Sequence, residues 1–147
     1  MVVVFCSDPE FQYDFAADGT LDQQTDGKGV ITDFSYDALE RLIDSTQDLG
    51  GTDPTTANAL VQYDYDAGGR LTQVNDPIDG TTSYQYDDLG NLLQTTSPDT
   101  GTSVYTYDDA GNVKTRTDAL DQLFIYSYDA LNRLTGVDAP GTDDDII

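Results

Sequence analysis

One dipeptide recurs at a fixed spacing and limits what this chain can become. Tyr-Asp stands at Tyr36-Asp37, Tyr65-Asp66, Tyr86-Asp87, Tyr107-Asp108 and Tyr128-Asp129. The last three steps are 21 residues each, and the step from Tyr36 to Tyr65 is 29. A fixed period of this size marks a repeat architecture, in which one small unit is stacked on its neighbours. Tyr13-Asp14 reads as a looser first frame. Two residues before each frame Tyr stands another aromatic, giving Phe11, Phe34, Tyr63, Tyr84, Tyr105 and Tyr126 as an aromatic ladder. All 10 Tyr of the chain fall in these two columns.

Further columns follow each Tyr. Four residues on come Glu40, Gly69, Gly90, Gly111 and Asn132; five on come Arg41, Arg70, Asn91, Asn112 and Arg133; six on come Leu42, Leu71, Leu92, Val113 and Leu134. Aromatic-x-Tyr is a period of two, which puts both rings on one face of a strand. Asp-x-x-Gly is a turn, because Asp accepts backbone N–H bonds and Gly supplies positive φ. Asn132 tolerates that region, whereas Glu40 predicts a distorted second turn. The unit is therefore a hairpin with a three-to-four-residue turn. The first frame reaches Gly19 and Leu21 two residues late and reads as carrying an insertion.

The connections between hairpins are richer in Pro and Gly, as in Asn75-Asp76-Pro77-Ile78-Asp79-Gly80 and Ser97-Pro98-Asp99-Thr100-Gly101. The long frame has eight extra residues, and Gly50-Gly51-Thr52-Asp53-Pro54-Thr55 within it reads as a surface loop. The expectation is an all-β antiparallel meander of stacked hairpins. Residues 1–147 form a single array, with about six frames over 11–137. Residues 1–10 supply a short N-terminal strand or edge, and 138–147 an acidic C-terminal edge. Twelve strands at about 4.8 Å make a sheet about 55 Å wide. Such a sheet coils or joins something further. Both faces carry Thr and Gln, so alternation alone does not say which face is the more buried.

Composition narrows the function. The formal net charge is −22, from 28 acidic and 6 basic residues, with no His. That balance argues against nucleic-acid phosphate and anionic membrane surfaces as partners. The usual general base is missing. No stretch is apolar enough for a membrane span, and Met1–Cys6 lacks the basic flank of a signal peptide. The single Cys, Cys6, has no basic neighbour to activate it and reads as an inert thiol. Asp outnumbers Glu 26 to two, which points to turn chemistry.

Three constellations carry possible chemistry. Asp99-Thr100-Gly101 matches an aspartic-protease string, but that chemistry needs two carboxylates sharing a proton, so only a dimer would complete it. An ordinary turn is the better reading. The Asp column offers Ca²⁺ one carboxylate per 21 residues, whereas Ca²⁺ wants six to eight oxygens; turn caps fit better. The Tyr columns offer a glycan platform, but cross-strand aromatic pairs are the commoner use. No catalytic residue, metal site or cofactor is expected.

Stretches such as Tyr86-Asp87-Asp88-Leu89-Gly90-Asn91-Leu92 and Tyr107-Asp108-Asp109-Ala110-Gly111-Asn112-Val113 resemble the YD-repeat, or Rhs-repeat, family over roughly 11–137. Tyr128-Asp129-Ala130-Leu131-Asn132-Arg133-Leu134 resembles it too. In bacterial polymorphic toxins, insecticidal toxin complexes and teneurins, such repeats form a long spiralling, solenoid-like sheet that closes into a hollow shell. Some members add an autocleaving aspartyl core, whose Asp-Pro-x-Gly-type signature is absent here. The resemblance implies a non-enzymatic structural protein of the cell exterior, secreted or at the surface. It would be a wall segment of a toxin-type shell or a subunit of a self-assembling extracellular filament. The implied partners are further copies of itself or the rest of a longer repeat chain. A carbohydrate- or Ca²⁺-binding adhesion module is the alternative, and a dimeric protease through Asp99 a remote one.

Overall fold

The structure is a computed structural model that describes residues 2–4, 11–48 and 58–141. Cys6, the Gly50–Thr55 loop and the acidic run from Asp143 lie outside the described residues. Thirteen strands form one antiparallel sheet in which every strand pairs with its neighbours in sequence. A short strand β1 (Val2–Val4) precedes six hairpins. These are β2 (Gln12–Phe15) with β3 (Leu21–Thr25), β4 (Ile31–Tyr36) with β5 (Leu42–Asp48), and β6 (Asn58–Tyr65) with β7 (Leu71–Asp76). They continue as β8 (Gly80–Tyr86) with β9 (Leu92–Ser97), β10 (Gly101–Tyr107) with β11 (Val113–Thr117), and β12 (Leu123–Tyr128) with β13 (Leu134–Asp138). The sheet is the all-β hairpin meander that the repeat predicts.

Every hairpin closes in the same way. In the fourth, the Gly90 amide donates to the Asp87 carbonyl at 3.1 Å and the Asp87 amide to the Asn91 carbonyl at 3.0 Å. This is a three-residue loop: a type I turn followed by a residue at positive φ. Gly69, Gly90 and Gly111 supply it at φ 81, 90 and 84°. Glu40 and Asn132 adopt it too, at φ 60 and 59°. The second turn is therefore not distorted. Its bonds, Glu40 amide to Asp37 carbonyl at 3.0 Å and Asp37 amide to Arg41 carbonyl at 2.9 Å, match the others. The hairpin imposes its geometry on Glu40, and the misfit is held as backbone strain.

The first frame corrects the sequence reading in a second way. Phe15, not Tyr13, pairs with Leu21, as Tyr36 pairs with Leu42. Ala16 takes the place of the turn Asp: its amide bonds the Thr20 carbonyl and its carbonyl accepts from Gly19. The unit runs Tyr13-Asp14-Phe15-Ala16-Ala17-Asp18-Gly19-Thr20-Leu21, with no insertion. Phe15 to Tyr36 is then 21 residues. Tyr13 belongs to the ladder column, and Phe11 lies before β2, stacked on Tyr13 at 6.3 Å.

Each hairpin also carries one register shift beside its frame aromatic. Ser35 faces Asp44 while Tyr36 faces Leu42, leaving Ile43 as the extra residue. The same shift leaves Asp22, Thr72, Leu93, Lys114 and Thr135 unpaired in the other hairpins. Bulges bend a strand and increase its right-handed twist. Repeated once per hairpin at one rim, they curve the sheet in one sense, which fits a spiralling wall.

Among the described residues none is buried. The two faces nonetheless differ. Along β10 the side chains of Ser103, Tyr105 and Tyr107 are half-covered, while Thr102, Val104 and Thr106 are exposed. The Tyr face is thus the better covered one. Among the described residues it is the face of a single layer, with no second layer packed against it.

Candidate functional site

The chemistry-bearing side chains collect at the turn rim of the Tyr face. Each frame Asp is a cap. Asp87 Oδ1 accepts from the Leu89 and Asn91 amides at 2.9 and 2.8 Å, and Oδ2 from Asn91 Nδ2 at 2.9 Å. Asp37 and Asp66 do the same, with Arg41 and Arg70 Nε on Oδ2 at 2.7 and 2.6 Å. Asp108 and Asp129 repeat the pattern with Asn112 and Arg133. The side-chain bond from Arg41 and then its amide hold the Asp37 carboxyl below the ordinary carboxylate range. The Arg70 amide and then its guanidinium do so for Asp66, and the Asn91 side chain leads for Asp87. Asp108 and Asp129 are lowered for the same reasons.

These carboxylates are engaged, and successive ones sit one hairpin apart, about 9.6 Å for two strand spacings. Ca²⁺–oxygen distances are about 2.3–2.6 Å, so neighbouring frames do not share an ion directly. Among the described residues no three Asp, Glu or Cys side chains group as metal ligands. Two connecting turns use the same device. Asp26 caps Lys28 and Val30, and Asp118 caps Leu120 and Gln122. The Asp-x-x-Gly string at Asp26–Gly29 was the available signal for the former. Asp99 sits in the exposed β9–β10 turn, on the rim opposite the frame turns, where Gly101 pairs with Ser97.

The aromatic ladder is not built from cross-strand aromatic pairs. An outgoing strand bearing aromatics alternates with a return strand that bears none of the Tyr. Phe34 therefore faces Ser45, Tyr63 faces Val74, Tyr84 faces Thr95, and Tyr126 faces Val137. Tyr105 faces Arg116, which in turn faces Phe124, with its guanidinium 4.7 Å from the Phe124 ring. Arg116 lies outside the repeat columns, so the sequence did not single it out.

Neighbouring hairpins are joined at the rim by the frame Tyr and the residue five after it. Tyr65 Oη donates to the Leu42 carbonyl and Tyr107 Oη to the Leu92 carbonyl, each at 2.8 Å and each to the preceding hairpin. Arg41 lays its guanidinium over Tyr65 at 4.6 Å, and Arg70 over Tyr86 at 5.2 Å, each on the following hairpin. Arg70 Nη1 also donates to the Asp87 carbonyl at 2.7 Å. Partial burial pushes the Tyr36, Tyr86, Tyr107 and Tyr128 phenols above their ordinary range. They stay neutral donors at physiological pH.

A family model described as RHS Repeat matches residues 65–102 and 105–143. Among solved structures, a crystal structure of TcdB2-TccC3 is similar at 19% identity and a TM-score of 0.58. TcdB2-TccC3-TEV follows at 18% and 0.56, and TcdB2-TccC3 without its hypervariable C-terminal region at 21% and 0.52. Each alignment covers 92% of this chain and 9% of the other. At such identities the likeness establishes the fold. No curated protein sequence matches the chain.

Proposed function

The chain belongs to the RHS-repeat family, and on that premise we propose that it is a non-enzymatic wall segment of a secreted, Rhs-type shell. The observation that carries this reading is the sheet itself. It is one layer of equal hairpins with no buried side chain among the described residues. A lone layer of this kind encloses a compartment only as part of a larger wall, and the bulge at every hairpin supplies a consistent bend. Its alignment with 9% of the TcdB2-TccC3 chains fits a segment of such a wall.

An extracellular fibre, in which an edge strand of one copy pairs with the next copy, is the second reading. The adhesion-module reading needs free carboxylates or ring faces, and the cap bonds leave the Asp column few open oxygens. The protease reading needs a second carboxylate against Asp99.

The test is fractionation of the native source, with electron microscopy of the particles that carry this chain. Hollow capsules in the extracellular fraction support the wall. Regular fibres would replace it with the filament, and confinement to the cytosol would overturn the exterior placement. Peptide cleavage between about pH 3 and 7 that is abolished by Asp99→Asn would overturn the non-enzymatic reading.

A further inference from the structure

Among the described residues, grooves open on the turn rim between the fourth and fifth hairpins and between the fifth and sixth. The first, about 460 Å³, is lined by Asp87, Asn91, Tyr105, Tyr107, Asp108 and Gly111. The second, about 370 Å³, is lined by Tyr107, Asp108, Asn112, Lys114, Tyr128 and Asn132. They fall at the two hairpins where Asn91 and Asn112 stand in the Arg column. At the second and third hairpins the same space holds a guanidinium from the chain itself. Arg41 covers Tyr65 and reaches within 3.6 Å of where a Cβ on Gly69 would lie; Arg70 covers Tyr86 and comes within 3.8 Å of the corresponding point at Gly90. At Gly111 that space is open to 4 Å. Asn91 copies the short-range half of the Arg contact, the bond to its own Asp, but is too short to reach the next ring.

We propose that the Tyr107 groove is a receptor for an arginine side chain presented by an extended, basic segment of a partner polypeptide. The chain displays the stacked guanidinium twice, and the stack together with the carbonyl bond once, at Arg70. The incoming guanidinium lies over the Tyr107 ring as Arg70 lies over Tyr86, and donates to the Asp108 carbonyl as Arg70 Nη1 donates to that of Asp87. Asp87, Asp108 and Asp109 line the groove, and a net charge of −22 attracts a cationic segment. Arg suits the site better than Lys because its planar, weakly hydrated head stacks on an aromatic face while still donating from its edge.

The Tyr128 groove is a second, weaker position. Asn112 Nδ2 there bridges to Asn132 Oδ1 at 3.1 Å, and Lys114 lines it. The two grooves are one hairpin apart, about 9.6 Å. Arginines three residues apart on a polyproline II segment lie on one face about 9.3 Å apart. An Arg-x-x-Arg segment therefore spans both. This binding requires the hairpin array alone and not the shell role, so failure of either leaves the other standing.

The test uses the whole chain with ring-labelled tyrosine and the blocked peptide acetyl-Arg-Pro-Pro-Arg-amide, followed by NMR. Saturable shifts of the Tyr107 ring, larger than those of Tyr128, are expected. The Lys-Pro-Pro-Lys peptide should bind about fivefold more weakly. Asn91→Arg fills the groove from within; Arg already occupies this turn position at 41, 70 and 133, so the variant keeps the fold. It should shift the Tyr107 ring without peptide and weaken peptide binding by about tenfold. Asp99→Asn on the opposite rim makes the same change in net charge and should leave affinity within about twofold. Equal weakening by Asn91→Arg and Asp99→Asn would overturn the proposal, as would equal binding of the Lys peptide or no saturable shift at Tyr107.

Discussion

The fourth turn position offers a prediction with opposite signs at two sites. All six frame turns place this residue at positive φ, yet Glu40 occupies it in the second hairpin at φ 60°. An L side chain in that region costs about 1–2 kcal/mol. Glu40→Gly removes the cost and adds back about 0.5–1 kcal/mol of unfolded-chain entropy. The net is a stabilisation of about 0.5–1 kcal/mol, or about 2–4 °C in Tm if the array melts as one unit. Gly111→Ala is the converse. A Cβ there meets nothing within 4 Å, so the change sets about 1–2 kcal/mol of backbone cost against about 0.5–1 kcal/mol of unfolded-chain entropy, a net destabilisation of about 0.5–1 kcal/mol. Urea unfolding followed by far-ultraviolet circular dichroism measures both. A destabilised Glu40→Gly, or a neutral Gly111→Ala, would refute the claim that one turn geometry is imposed on every frame.

Four further outcomes follow from the rim. Tyr107→Phe removes the bond to the Leu92 carbonyl and should cost about 0.5–1.5 kcal/mol in the same assay. Arg41→Ala loses both the Asp37 bond and the stack on Tyr65 and should cost about 1 kcal/mol. Arg133→Ala, whose side chain is 73% exposed against 28% for Arg41, should cost less than about 0.5 kcal/mol. The folded pKa of Asp87 lies below its unfolded value. Its charged form thus contributes stability that is complete above the unfolded pKa, near 4, and is lost as pH falls through the folded pKa. The stability gap between wild type and Asp87→Ala should be constant from about pH 7 to 5 and shrink below about pH 4.

Much of this sheet is legible in the sequence because the repeat reports each constraint several times. Tyr-Asp-x-x-Gly locates the turn, and aromatic-x-Tyr locates the outgoing strand. The first frame was misaligned because Asp14 makes a Tyr-Asp pair one column early, while the true turn position is Ala16, which has no cap to advertise. Glu40 reads as a distorted turn because composition reports preference, whereas the backbone bonds on either side decide φ. The aromatic columns suggested ring-on-ring pairing. Their period identifies a face, but return strands such as β7 and β9 separate the rings. The relay from Arg41 to Tyr65 crosses 24 positions in sequence, and only the lateral order of hairpins brings the two together. The same order turns Asn91 and Asn112 from modest variants of Arg into open grooves.

Solution X-ray scattering of the isolated chain distinguishes a single solvated layer of hairpins from a packed two-layer fold. Twelve spacings of about 4.8 Å give a sheet about 58 Å across and one strand layer, about 10 Å, thick. The expected scattering is that of a thin plate with a radius of gyration above the roughly 15 Å of a compact chain of this length. A value near 15 Å with the thickness of two packed layers would contradict it.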